Sequence, residues 1–426
     1  MNFKFLAVNT ITLLQRDERE EDLRGCGASV VELYTSLLAN VHCVDKEKVA
    51  ALVDLANESL LLYPYKDVPS CWRHLLMDAS LLQTSQLLRE LQDAVENQVP
   101  DHQAQSLAQQ LIRDLDTAMI VSGAPGAGRR TLANKILEDI QQWLSDKLRE
   151  LKGEDRREKR IKIKDEVFVD KATQERAPEL RFPIERMREP PDFIWFSLRT
   201  QGQMPEPVII CGAIDHWPAL SSRPWNSVHH LLSLAADRVV PVELGSKYTD
   251  VEWQQQMMRF EEFVNDYVLK PTTPPAYLAQ HDLFYQIPRL ENDIQIPDYC
   301  YVAPEPTDWY KGPPPDVIKN AWFGPKGTVS PLHQDPYHNV LAQVVGRKYL
   351  RLYAPDQTSM LYPHEGMMSN TSQVDVEHPD LDSFPDFGKA KFVECVLEEG
   401  ELLYIPPKWW HYVRSLDTSF SISFWF

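Results

Sequence analysis

Apolar positions along this chain follow two different periods. Between about residues 20 and 150 they recur every three or four residues, the spacing of an amphipathic helix. The pattern is clear in Ser70-Cys71-Trp72-Arg73-His74-Leu75-Leu76-Met77-Asp78-Ala79-Ser80-Leu81-Leu82 and again in Leu87-Leu88-Arg89-Glu90-Leu91. It continues from Ser106 to Leu115 and from Leu132 to Leu151. This predicts a helical bundle or a short helical-repeat array, although no fixed-period repeat is visible. After Pro183 the texture becomes β. Pro207-Val208-Ile209-Ile210-Cys211 reads as a buried strand. Asn339–Val345 and Lys348–Tyr353 flank Gly346-Arg347 and together predict a hairpin. Val302–Asp316 is proline-rich and aperiodic, so it is expected to be a loop. The predicted organisation is a helical domain over 1–150, a charged linker over 151–180 and a second domain over 181–426.

Composition narrows the function classes. With 426 residues, 43% apolar and 10% aromatic, the chain can bury two cores. No run approaches the roughly 18 apolar residues of a membrane span. The apolar stretch Phe3–Leu14 carries Asn9, Thr10 and Thr12, has one lysine and lacks a small-residue cleavage site, so it reads as mature protein and not a signal peptide. Six cysteines are scattered without a CxxC pair, which points to reduced thiols in the cytosol or nucleus and to no zinc finger. The formal charge is 44 minus 62, or −18. That balance disfavours direct nucleic-acid binding and suits a cationic peptide. Against it stands one basic run, Arg156-Arg157-Glu158-Lys159-Arg160-Ile161-Lys162-Ile163-Lys164, which fits a nuclear localisation signal or a solvated linker. The expected compartment is the nucleus, with the cytoplasm second.

The chemistry concentrates in Ser330-Pro331-Leu332-His333-Gln334-Asp335 and in Gly400-Glu401-Leu402-Leu403-Tyr404-Ile405-Pro406-Pro407-Lys408-Trp409-Trp410-His411. On an extended strand, residues two apart share a face. His333 and Asp335 can therefore reach one ion from one strand, and His411 can close the set from another. Two imidazoles and a carboxylate form the facial triad of non-heme Fe(II) oxygenases, with open positions left for a cosubstrate and O2. A zinc hydrolase would use the same ligands but needs a general base nearby, and no Glu flanks either histidine in the required pattern. His338, His364 and His378 are competing imidazoles. His338 lies beyond Pro336 and reads as structural or as a residue of the pocket rim. Lys348 shares a strand face with Leu350 and Leu352, and a cation there needs an anionic partner. Asn339 is polar on the face of Leu341 and Gln343.

These segments resemble a JmjC domain, a cupin-type 2-oxoglutarate-dependent oxygenase. The resemblance runs from about Pro183 to the C-terminus and is carried also by Asn320-Ala321-Trp322-Phe323-Gly324-Pro325, Gly346-Arg347-Lys348-Tyr349, Asn370–Val376 and Ser421–Trp425. It implies an α+β protein with a C-terminal double-stranded β-helix (jelly-roll) behind an N-terminal helical domain. It implies Fe(II), 2-oxoglutarate and O2, with His333, Asp335 and His411 as metal ligands and catalytic residues. Lys348, Asn339, Ser330 and Tyr277 would hold the cosubstrate. Glu243, Trp253 and Trp322 would line the substrate pocket, where a carboxylate and an indole face suit a guanidinium. Read without the resemblance, Glu243 and Trp253 pass as surface and core residues.

Gly123-Ala124-Pro125-Gly126-Ala127-Gly128-Arg129-Arg130-Thr131 has the glycine spacing of a phosphate-binding loop. Arg129 and Arg130 replace its Lys and Ser/Thr, so a turn between helices is the better reading. The expectation is thus a protein arginyl hydroxylase. The alternatives are a histone methyl-lysine demethylase acting in chromatin regulation, which needs the same metal ligands, and a non-catalytic JmjC adaptor. The intact triad and Lys348 argue against the adaptor.

Overall fold

The computed structural model describes residues 2–16, 20–40, 45–64, 67–151, 166–201, 205–245, 253–270, 272–307 and 309–426. The basic run Arg156–Lys164 lies outside them. The chain packs as two units, residues 1–159 with 237–239, and residues 160–236 with 240–426.

The first unit is helical, with α1 (Phe3–Arg16), α2 (Glu20–Leu23), α3 (Ala28–Ala39), α4 (Lys46–Leu61), α5 (Ser70–Glu96), α6 (Asp101–Ser122) and α7 (Arg129–Leu151). The two apolar runs read separately as Ser70–Leu82 and Leu87–Leu91 are one continuous helix, α5. It buries Leu75, Leu76, Leu81, Leu82, Leu88 and Leu91 in the middle of the unit. The glycine-rich segment is a turn between helices. Gly123 caps α6 in the left-handed conformation, and the Arg129 guanidinium turns inward, with its Nε 3.0 Å from Asp78 Oδ1 and both side chains fully buried. Arg129 is therefore a structural cation with no exposed charge for a phosphate.

The second unit is built on two sheets. Its strands are β1 (Arg186–Met187), β2 (Val208–Ile210), β3 (Val239–Leu244), β4 (Gln254–Arg259), β5 (Ala276–His281), β6 (Ile318–Gly324), β7 (Val329–Gln334), β8 (Asn339–Val345), β9 (Lys348–Tyr353), β10 (Phe392–Leu397), β11 (Leu402–Ile405), β12 (Trp410–Ser415) and β13 (Ser419–Trp425). One sheet runs β1-β2-β11-β8-β13-β6-β5-β3-β4, the other β10-β9-β12-β7. Val302–Asp316 carries no helix or strand among its described residues.

Between the sheets lie Leu341, Leu350, Leu352, Leu403, Ile405 and Val413. The outer face of the large sheet packs Val340, Ala342, Phe323, Phe420 and Phe424 against Phe196, Trp217 and Trp225. The outer face of the small sheet packs Tyr349, Tyr353 and Trp410 against Leu361, Val374 and Phe387. Because β8 is covered on both faces, all seven of its residues are buried, the polar Asn339 and Gln343 included.

The predicted hairpin does not form. β8 pairs with β11 and β13 in the large sheet, whereas β9 pairs with β10 and β12 in the small one. Gly346, at φ +68°, turns the chain from one sheet to the other, and a Cβ there would collide with the Thr418 carbonyl. A glycine between two apolar runs marks a turn but does not say whether the strands pair with each other.

Candidate active site

The site is assembled on β7 and β12, which are adjacent and antiparallel in the small sheet. His411 on β12 is directly opposite His333 on β7, and their ring centroids are 4.2 Å apart. Asp335 lies just past the end of β7, with its Oδ2 3.6 Å from His411 Nε2. One ligand atom from each of His333, Asp335 and His411 lies within 4.8 Å of the others. Each imidazole is held from behind. His333 Nδ1 is 2.7 Å from the Pro331 carbonyl and His411 Nδ1 is 3.0 Å from the Trp409 carbonyl. A carbonyl can only accept, so Nδ1 carries the hydrogen and Nε2 presents its lone pair to the centre of the group. Burial, reinforced by His333 and partly offset by Asp335, lowers His411 to about 4. A neutral imidazole is what a metal needs.

Ser330 is three residues from His333, and strict alternation would put it on the opposite face. Register explains why it lines the cleft. Two steps along β12, from His411 to Val413, match three along β7, from His333 to Ser330. The extra residue is a bulge beside Pro331, and it turns Ser330 back toward the cleft. The cleft itself is lined by Tyr277, Trp322, Ser330, His333, Asp335, Asn339, Leu341, Lys348, Ile405, His411, Val413 and Ser423.

Lys348 is 2% exposed, and its Nζ donates to Tyr277 Oη at 3.1 Å. It meets no carboxylate among the described residues, and burial lowers it to about 7. Burial also pushes the Tyr277 phenol well above its ordinary range. Asn339 is 4% exposed, and its amide oxygen Oδ1 has no hydrogen-bond partner among the described residues. On the large sheet, the Trp322 indole donates to Ser423 Oγ at 3.0 Å, with its ring 6.1 Å from that of Tyr277. Glu243 on β3 is directly opposite Tyr277 on β5. Trp253 comes alongside because Gly245 leaves room for its backbone. Burial raises the Glu243 carboxyl, and the nearby Trp253 indole partly offsets this without forming a hydrogen bond of good geometry. No cation pairs with Glu243 among the described residues.

Residues 198–426 match the family model of a cupin-like domain. The chain is 38% identical over 401 residues to Lysine-specific demethylase 8 of Danio rerio, covering 91% of this chain and 89% of that one. It is 53% identical over 221 residues to the Xenopus tropicalis protein of the same name, covering 52% of this chain and 48% of that one. It is 45% identical over 225 residues to Jumonji C domain-containing protein 5 of Drosophila melanogaster, covering 52% and 54%. The chain belongs to the cupin-like JmjC family. That family is one of 2-oxoglutarate-dependent oxygenases that generally use Fe(II).

The residues present fit those groups. The three converging ligand atoms suit a facially bound cation. Lys348, buried beside the Tyr277 hydroxyl with no carboxylate partner among the described residues, suits a small dicarboxylate in the same cleft. His338 is not part of the JmjC centre. It is 1% exposed, with Nδ1 2.8 Å from Tyr404 Oη and its ring against Tyr310 and Phe426. His364 and His378 also lie outside the cleft lining. Sequence reasoning missed Ser423, Leu341, Ile405 and Val413. The available signal was the alternation Ser421-Ile422-Ser423-Phe424, which places small polar residues on the face toward the cleft.

Proposed function

We propose that the protein is an Fe(II)- and 2-oxoglutarate-dependent hydroxylase of arginine side chains in protein substrates. His333, Asp335 and His411 would hold the iron. Lys348 would neutralise the distal carboxylate of 2-oxoglutarate, with the Tyr277 and Ser330 hydroxyls and the Asn339 amide completing its hydrogen bonds. When bound, the iron couples the conversion of 2-oxoglutarate and O2 into succinate and CO2 to insertion of the second oxygen atom into a substrate C–H bond. The protein's contribution is to orient both reactants and to exclude water from the cleft.

The observation that supports the substrate reading is Glu243, a half-buried carboxyl with no cationic partner among the described residues, beside the Trp253 indole and across from Tyr277. A guanidinium could pair with the carboxylate and stack on the ring, whereas an ammonium has no plane to stack and a trimethylated one has no donors. Trp322, held by Ser423, would form a further wall. The acidic charge of the chain favours a cationic target. The names of the relatives favour a second reading, demethylation of methyl-lysine, which needs the same metal set. The basic run Arg156–Lys164 supports a proposed nuclear location.

Mass spectrometry separates the two activities. Arginine peptides incubated with enzyme, Fe(II), 2-oxoglutarate and O2 should gain one oxygen. The gain should vanish when the target Arg is replaced by Lys, and it should fall strongly with Glu243→Ala. Formaldehyde release from methyl-lysine peptides at matching rates, indifferent to Glu243→Ala, would replace the hydroxylase reading with the demethylase one.

A further inference from the structure

The turn between β11 and β12 connects to two of the three proposed ligands. Pro406-Pro407-Lys408-Trp409 closes on itself, with the Trp409 N–H donating to the Pro406 carbonyl at 3.3 Å. Pro407 occupies the second position and Lys408, at the third, has φ +64°. This is the pattern of a type II turn, whose third position favours glycine because a Cβ is disfavoured there. A lysine held in that conformation is an outlier next to a functional site. Its backbone explains what the conformation accomplishes. The Lys408 N–H donates to the Asp335 carbonyl at 2.9 Å. The next residue's carbonyl, that of Trp409, accepts from His411 Nδ1 at 3.0 Å. The Trp409 indole donates to the Pro205 carbonyl at 2.9 Å, in a buried bond that moors the turn to a distant segment.

We propose that Lys408 and Trp409 are positioning residues for the metal centre, holding the Asp335 backbone and the His411 tautomer in one mutual geometry. Asp335 lies past the end of its strand and His411 lies inside another, so regular pairing alone does not relate their ligand atoms. The turn supplies that relation through main-chain bonds, and the indole anchor keeps the turn from shifting. The Lys408 side chain has no part in this, and only the backbone conformation and the N–H matter.

The inference rests on the reading of His333, Asp335 and His411 as metal ligands. Anaerobic Mn(II) titration of the full chain, by calorimetry or electron paramagnetic resonance, tests both. A parent protein that binds no Mn(II) sinks the ligand reading itself, before any variant is compared. Given binding, Lys408→Gly keeps the N–H and accepts the conformation, so its affinity should stay within twofold of the parent. Lys408→Pro loses the N–H and cannot adopt positive φ, and should bind at least tenfold more weakly. Trp409→Phe keeps an aromatic ring in the apolar cluster but loses the indole anchor, and should bind severalfold more weakly, with unchanged circular dichroism. If Lys408→Pro does not fold, Trp409→Phe and the 15N shifts of His411 decide. A protonated Nδ1 in the parent that becomes a tautomer mixture in Trp409→Phe supports the proposal. Parent-like Mn(II) affinity and an unchanged His411 tautomer in Trp409→Phe overturn it, as does a Lys408→Gly variant as weak as Lys408→Pro.

Discussion

At the scale of single residues, burial and charge make the sharpest expectations. Lys348 is lowered from 10.5 to about 7 by burial, which corresponds to roughly 4–5 kcal/mol of disfavoured charge. The sign follows from proton counts. Between about pH 7 and pH 10 the unfolded chain keeps this proton and the folded one does not, so Lys348 makes stability rise with pH across that window. A carboxylate placed beside it restores the charge. Binding of 2-oxoglutarate above pH 7 should therefore take up close to one proton, and its apparent affinity should weaken as pH rises. Calorimetry at pH 8 in buffers of different ionisation enthalpy measures the uptake. Lys348→Ala should abolish the uptake and weaken binding a hundredfold or more, in line with about 3–5 kcal/mol for breaking a buried pair. Mn(II) affinity should be unaffected. The absence of uptake in the parent would remove Lys348 from the cosubstrate site. The proposed metal ligands give a second expectation. Alanine at His333, Asp335 or His411 should abolish turnover and Mn(II) binding while leaving the folded core intact, and retention of both in any one variant would exclude that residue as a ligand.

At the scale of elements, turns and bulges decide what alternation cannot. His333, Asp335, Lys348 and Asn339 face the cleft as period-two reasoning expects. Ser330 faces it only because of the bulge at Pro331, and that bulge is visible only once β7 is laid against β12. The segment around Gly346 makes the same point in reverse, since its apolar runs suggest a hairpin but its strands belong to different sheets. Gly346→Ala must both adopt φ +68° and meet the Thr418 carbonyl. It should cost about 3 kcal/mol or more, measured as a lower urea midpoint. A loss below about 0.5 kcal/mol would mean that the crossover can be made another way.

At the scale of the whole molecule, the proposed metal and cosubstrate residues all lie in the second unit, and the helical unit has its own buried charge pair. Asp78 and Arg129 are fully buried, and Tyr34 Oη donates to Asp78 Oδ2 at 3.3 Å. Asp78→Ala removes a fully buried carboxylate that pairs with Arg129 and should destabilise the helical unit by about 3–5 kcal/mol. Thermal melts followed at 222 nm should register the loss. Mn(II) affinity measured below the transition should not change, because among the described residues of 1–159 none is a proposed ligand or is bonded to one. Among the described residues, no helix is long and apolar enough to cross a membrane.

The sequence by itself determined the two textures of the chain, the three side chains His333, Asp335 and His411 that converge in the cleft, and the inward face of Lys348. Each follows from local periodicity and residue chemistry, which need no knowledge of partners. Only the tertiary structure decided which strands share a sheet, how Ser330 joins the cleft, why Arg129 turns inward to Asp78, and how Glu243 comes to lie beside Trp253 and opposite Tyr277. These depend on register, bulges and contacts between residues far apart in the chain, and local pattern carries almost no information about such pairings.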